Sequence, residues 1–337
     1  MPTRPSFSLI LTSAILAGCG TSTPPKGPST EVTKASAPAS EVRSAPAVPA
    51  SPAVEPVTTR TPEEVSRLAV QSLIDAQPEK FWGLLPPSYQ GRINKVVQKG
   101  AMRFADQELL NAYQGVLREL AELMKDKQEF LLKTPVLPFH EKPEVAQSNW
   151  NEQLVRLNRI ADSELFDSLP LKKFDGQRFC AGPLADIIAV YNQTLSLAPE
   201  DPQASLQANL SSAKFTIVDS SEDEMTLSLT TGPNGSGIFK FRKVEGHWVP
   251  EPFIAAFDDM MGVADSWIEG VSPADFERQK ATLLGQAEAI REYLKELRSI
   301  NNQIAFDEGM NRLLLLLSPG DIKIVPAPQP GETAPQE

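Results

Sequence analysis

A chain of 337 residues with 41% apolar side chains has room for one or two domains and for a sizeable core. A net charge of −11 denies it the dense basic surface that nucleic-acid phosphates need, and sets it against an anionic lipid surface as well. Acidity of this size serves solubility, and the 30 prolines gather towards the two ends, leaving a more ordinary composition between them.

The apolar run from Phe7 to Ile15 is too short to span a bilayer, and it ends in Leu16-Ala17-Gly18-Cys19. Small residues suit a signal-peptidase site, and a cysteine just after them supplies a thiolate that a lipid donor can alkylate. These four residues resemble the lipobox of bacterial lipoprotein precursors. The resemblance implies a signal peptide over 1–18, cleavage between Gly18 and Cys19, and lipid on Cys19 as the mature N-terminus. The alternative is an ordinary export signal in which Cys19 is incidental; the basic region before it is thin, with Arg4 as its one cationic side chain. Gly20 and Thr21 follow with no aspartate, so the resemblance further implies the outer membrane of a Gram-negative cell envelope, facing the periplasm. Leu313 to Leu317 is only five leucines, and no other run reaches the length of a membrane span. Lipid is the expected membrane contact.

Residues 19–60 are mostly Pro, Ala, Ser, Thr and Val with few charges and no aromatic side chain, a composition that cannot offset the entropy of ordering. A disordered tether is expected, reaching roughly 35 Å as a coil and up to about 120 Å if fully extended. Residues 325–337 read as a second disordered tail, leaving a folded body over 61–324. With Cys19 carrying lipid, Cys180 has no intrachain partner, and Phe179 and Ala181 beside it predict burial.

The body opens at Thr61-Pro62-Glu63-Glu64, a capping box with proline at the first helical position, and a helix is expected to about Gln77. A short aromatic helix, Phe81 to Leu85, follows Pro78 and stops at Pro86-Pro87; another runs through Tyr89, Ile93, Val96, Val97 and Met102. From about 107 to 132, Leu110, Tyr113, Leu117, Leu120, Met124 and Leu131 form a narrow coiled-coil-like seam that Lys127 interrupts. Further helices are expected near 143–162 and 183–197, with Cys180 in a turn between Phe179 and Gly182, and with Pro199 and Pro202 closing the block.

The period then changes from helical to two. Lys214–Val218, Met225–Leu229, Ile238–Phe241 and His247–Val249 predict an antiparallel meander over about 214–250, with turns at 219–223, 232–237 and Glu245-Gly246. Helices return after Pro252. Ser272-Pro273 caps the longest, expected to run to about Asn301 or beyond, with Phe276, Leu283, Ala287, Ile290, Leu294, Leu297 and Ile304 on a heptad-like seam and Lys280 and Asn301 at seam positions. That seam is expected to pack on the 107–132 helix of the same chain, favouring a monomeric body over a homodimer. A last helix spans about 306–317. The fold class is α+β: a mostly helical body with one small antiparallel meander.

Residues able to carry chemistry are few. His140 lies in a loop and His247 in a hairpin turn, with no acid or nucleophile placed near either. No metal-ligand spacing or phosphate loop occurs; the glycines from Gly232 to Gly237 sit between two strands, and Ser236 lacks the strand–turn–helix setting of a nucleophile elbow. Ser221-Glu222-Asp223-Glu224 lacks the alternation of a calcium loop. Asp258, Asp265 and Glu269, with Asp259 beside them, approach one face of a helix and form the weak candidate for a metal or acid–base site, against a solvated helix face. No cofactor and no catalytic set is expected.

Phe81-Trp82-Gly83-Leu84-Leu85-Pro86-Pro87-Ser88-Tyr89-Gln90 and Lys243-Val244-Glu245-Gly246-His247-Trp248-Val249-Pro250 resemble stretches of uncharacterised bacterial envelope lipoproteins of the planctomycete kind. The resemblance implies an envelope lipoprotein and carries over no catalytic residue. Physically, Trp82, Tyr89 and Trp248 are core-forming. Two functions follow as expectations: a non-enzymatic lipid-anchored module binding an envelope protein or polymer, or a carboxylate-based enzyme or small-ligand binder in the periplasm. A pocket with convergent polar groups favours the second; a featureless acidic surface with one exposed apolar groove favours the first.

Overall fold

The computed structural model describes residues 60–198, 202–231 and 235–317. The signal segment with Cys19, nearly all of the tether and the tail over 325–337 lie outside them. The fold is α+β, a helical body with one small antiparallel sheet.

Helix α1 (Pro62–Ile74) starts as its sequence dictates: the Thr61 hydroxyl accepts from the Glu64 amide, and Glu64 reaches back to the Thr61 amide. Short α2 (Pro78–Trp82) and long α3 (Pro87–Phe104) follow, each opened by proline. The expected 107–132 helix is two: α4 (Gln107–Asp126) and α5 (Gln128–Lys133), broken at Lys127. The break has a cause, because Lys127 is buried and its ammonium is needed elsewhere. Nζ donates to the Ile300 carbonyl at 2.7 Å and to Asn301 Oδ1 at 2.9 Å.

Helix α6 (Pro143–Ala161) matches expectation. A 3₁₀ turn and short α7 (Ser168–Leu171) lead to α8 (Gly176–Phe179), a π turn at Cys180–Leu184 and α9 (Ala185–Ser196). Cys180 therefore sits within a helical path and not in a turn. Pro183, which has no amide hydrogen to donate, is accommodated by the wider π turn. Pro202 opens a helix instead of closing the block: α10 (Pro202–Ser212) precedes the sheet and was not anticipated, its apolar residues being too sparse to give a periodic signal.

Strands β1 (Lys214–Ser220), β2 (Glu224–Thr231), β3 (Gly235–Val244) and β4 (His247–Pro250) form the expected meander in sequential order. Glu245 and Gly246 both have positive φ, 52° and 81°, which gives the β3–β4 hairpin its tight turn. The inner face, with Leu227, Phe241 and Trp248, meets Val65 of α1 and Leu84. β1 lies at the edge and carries a register shift between Ile217 and Asp219.

Helix α11 (Glu251–Gly270) leaves the sheet directly, then α12 (Pro273–Ser299) and α13 (Gln303–Leu316) complete the chain described. α12 ends at Ser299, short of the expected Asn301. Ile304 accordingly belongs to α13, where it is 72% exposed and takes no part in the seam. α12 packs against α4 within the chain, with Leu294, Leu297 and Leu123 fully buried in a cluster shared with α6 and α13. α4 is sandwiched between α12 and α6, so its buried face is wider than the narrow seam its spacing predicted, and Leu123 lies in it. A second cluster joins Trp82, Tyr89, Cys180, Val249 and Phe257. There Gly176 is obligatory: a Cβ at that position would lie 2.1 Å from the Trp82 ring.

Candidate functional site

Helix α11 has three sides with different fates. One buries Phe257, Met261 and Ile268; Phe257 stacks on Tyr89 of α3 with centroids 4.0 Å apart and rings 5° from parallel. This burial, followed by the Asp258 charge, pushes the Tyr89 phenol above its ordinary pKa.

The second side carries the expected carboxylates. Asp258 accepts from Arg92 at 2.6 Å, while Asp265 and Glu269 both accept from Lys99, at 2.9 and 2.7 Å. Hydrogen bonds from Lys99 to Glu269 first, then to Asp265, hold its ammonium above the usual lysine range. The structure thus brings Asp265 and Glu269 together, but on a lysine; Asp258 serves a separate pair. All three tie α11 to α3. Among the described residues, no group of three His, Cys, Asp or Glu side chains is arranged to hold a metal ion.

The third side faces outward. Ala256, Met260, Val263 and Trp267 follow at steps of four, three and four, so they share one face. Met260 is 45% exposed, Val263 70% and Trp267 43%. Trp267 is backed by Phe104 of α3, with centroids 5.2 Å apart, and Phe104 in turn meets Phe276 of α12 at 5.4 Å. Beside this ridge run Ala255, Asp259, Gly262 and Ser266, all exposed. A Cβ added to Gly262 would meet nothing within 4 Å. α11 contains five acids and no lysine or arginine, and Asp259 has no ion pair among the described residues.

Other candidates are absorbed by the scaffold. His140 Nδ1 donates to the Leu137 carbonyl at 2.6 Å, and its other nitrogen lies 3.2 Å from Glu141. His247 Nδ1 donates to the Leu84 carbonyl at 3.2 Å, tying β4 to the segment after α2. Cys180 is free and buried, and burial pushes its thiol up to about 11, where little thiolate exists at neutral pH. In the acidic run, the Ser221 hydroxyl accepts from the Glu224 amide, a local turn. Ser236 is paired with Thr230 in the sheet. A cavity of about 500 Å³ lies between α1 and α10, but Arg67, which lines it, spends its guanidinium on Glu63 and on the Leu210 and Ala213 carbonyls.

No known protein family, curated protein or solved structure matches this chain. The chemistry of the molecule is therefore read from its own side chains. Sequence reasoning singled out the acids of α11 and missed the apolar ridge on the same helix, although the four-three-four spacing of Ala256, Met260, Val263 and Trp267 carried the signal. That spacing looks the same whether a helix buries one apolar side or two, and only packing tells which side has been covered.

Proposed function

We propose that the chain is a lipid-anchored protein of the bacterial cell envelope whose folded body is a binding module and not an enzyme. The observation that supports the body's role is the outward ridge of α11. It offers an apolar surface of about three turns, from Ala256 to Trp267, while Asp258, Asp265 and Glu269 are engaged in holding α11 to α3. Contiguous apolar surface of this kind favours association. The carboxylate-based alternative gains no support from geometry in which Arg92 holds Asp258 and Lys99 holds both Asp265 and Glu269. Anchoring rests on the Leu16-Ala17-Gly18-Cys19 match, and no described helix is long and apolar enough to cross a membrane.

Two substitutions test the two halves of this reading separately. Cys19→Ala should release the protein from the membrane fraction; unchanged detergent partitioning would refute the anchor. Met260→Gln with Val263→Gln should keep the melting temperature and the anchor, since both residues are exposed, but lose the crosslinked species that the native chain is expected to form in intact cells. Identical crosslinks would mean that this ridge is not the interface.

A further inference from the structure

We propose that the ridge of α11 seats a positively charged amphipathic helix presented by another protein, an assignment that rests on the binding-module reading above. Ala256 to Trp267 covers about 16 Å at 1.5 Å per residue, three turns of helix. Such a face matches the apolar stripe of a partner helix better than it matches a small molecule. The large ridge of Met260, Val263 and Trp267 runs beside the row of Ala255, Asp259, Gly262 and Ser266, which is small everywhere but at Asp259. A ridge next to a groove is what helix-on-helix packing requires, and the open space over Gly262 permits close approach. Trp267 has the character of an anchor. Of the four tryptophans, Trp82, Trp150 and Trp248 are buried and only Trp267 is exposed, held from behind by the Phe104 ring before any partner arrives.

Charge selects among the possible occupants. Glu251, Asp258, Asp265 and Glu269 are ion-paired within the chain, so a second copy of α11 would set its own Asp259 against this one and bring no base from the helix to pair either. An anionic lipid surface offers Asp259 no cation either. A helix with lysine or arginine flanking its apolar stripe pairs instead with Asp259, which lies next to Met260 and has no ion pair among the described residues.

The position of Trp267 makes the test direct. The full chain in neutral-detergent micelles is titrated with a 14-residue Leu/Lys amphipathic peptide, and tryptophan emission is followed. A Leu/Glu peptide of the same pattern and a Trp267→Phe chain in the same micelles serve as controls. The Leu/Lys peptide should give a saturable blue shift that Trp267→Phe abolishes. Affinity should fall by roughly tenfold or more with Met260→Gln/Val263→Gln, and should also fall with Asp259→Lys. An equal response to the Leu/Glu peptide, no effect of Asp259→Lys, or a dimer in sedimentation that the ridge substitutions abolish would overturn the assignment. If the ridge substitutions erase the cellular crosslinks while the two peptides bind alike, the binding surface stands and the cationic helix falls. If they change neither crosslinks nor peptide binding, both fall.

Discussion

Lys127 is a cation placed where an apolar seam should continue, and the structure gives it two acceptors at the end of α12. Its ammonium donates to the Ile300 carbonyl and to Asn301, and lies 5.2 Å from the centre of the Phe130 ring. The carbonyls that end a helix lack intrahelical donors and carry its negative pole, so a buried cation satisfies both demands at once. Lys127→Met should cost about 1–3 kcal/mol in urea unfolding, because it leaves the Ile300 carbonyl without its donor. A cost near zero would show that water replaces the ammonium. At the other end of the same helix pair, Asp106 caps α4 through the Leu109 amide and accepts from Lys280 of α12 at 2.8 Å. The Lys280 bond chiefly, then the Leu109 amide, hold the Asp106 carboxyl below its ordinary value of 3.8. A carboxyl whose pKa is lower in the folded state stabilises the fold above the unfolded value, and loses that contribution as pH falls through the folded one. Asparagine still caps. The gap in unfolding free energy between the native chain and Asp106→Asn should therefore be constant near neutrality and close below pH 3.8. A gap that persists at the acid end would refute the charge-linked account.

At the scale of elements, the ones written most plainly in the sequence are those with local start signals. The capping box at Thr61 and the Ser272 cap both appear as read, and so do four strands with period-two patterning. The meander depends on Trp248, which is buried in the cluster under the sheet with the Lys243 ammonium 4.8 Å from its ring centre. Trp248→Ala should cost about 3–5 kcal/mol, measured as a fall in the urea midpoint. A fully stable variant would show that the sheet is held by Leu227 and Phe241 alone. The exposed edge strand β1 is blunted by its register shift after Ile217 and by Lys214 and Asp219 near its ends, devices that discourage edge-to-edge pairing. Elements that depend on distant contacts were harder to read. The break at Lys127 follows from acceptors that lie more than 170 residues away. The widened face of α4 with Leu123 follows from having two neighbours, α6 and α12.

For the molecule as a whole, the α12 seam packs within the chain, which removes the apolar surface that a symmetric pair through that seam would need. Sedimentation equilibrium should accordingly report a monomer, and Leu294→Ala should destabilise that monomer by about 2–5 kcal/mol, since Leu294 lies in the shared core. A dimer that this substitution dissociates while each subunit stays folded would reverse the conclusion. The fold class, the capped helix starts, the strands of the meander and the contrast between the ends and the body are legible without coordinates, because each rests on local periodicity or composition. The roles of the acids and the apolar residues of α11 emerge from packing alone. Asp258, Asp265 and Glu269 read alike as a site or as a solvated face until Arg92 and Lys99 of α3 are seen against them. Met260, Val263 and Trp267 read alike as core or surface until every neighbouring element has been placed. Spacing along a helix fixes which side chains share a face, but what covers that face depends on residues brought together from far along the chain.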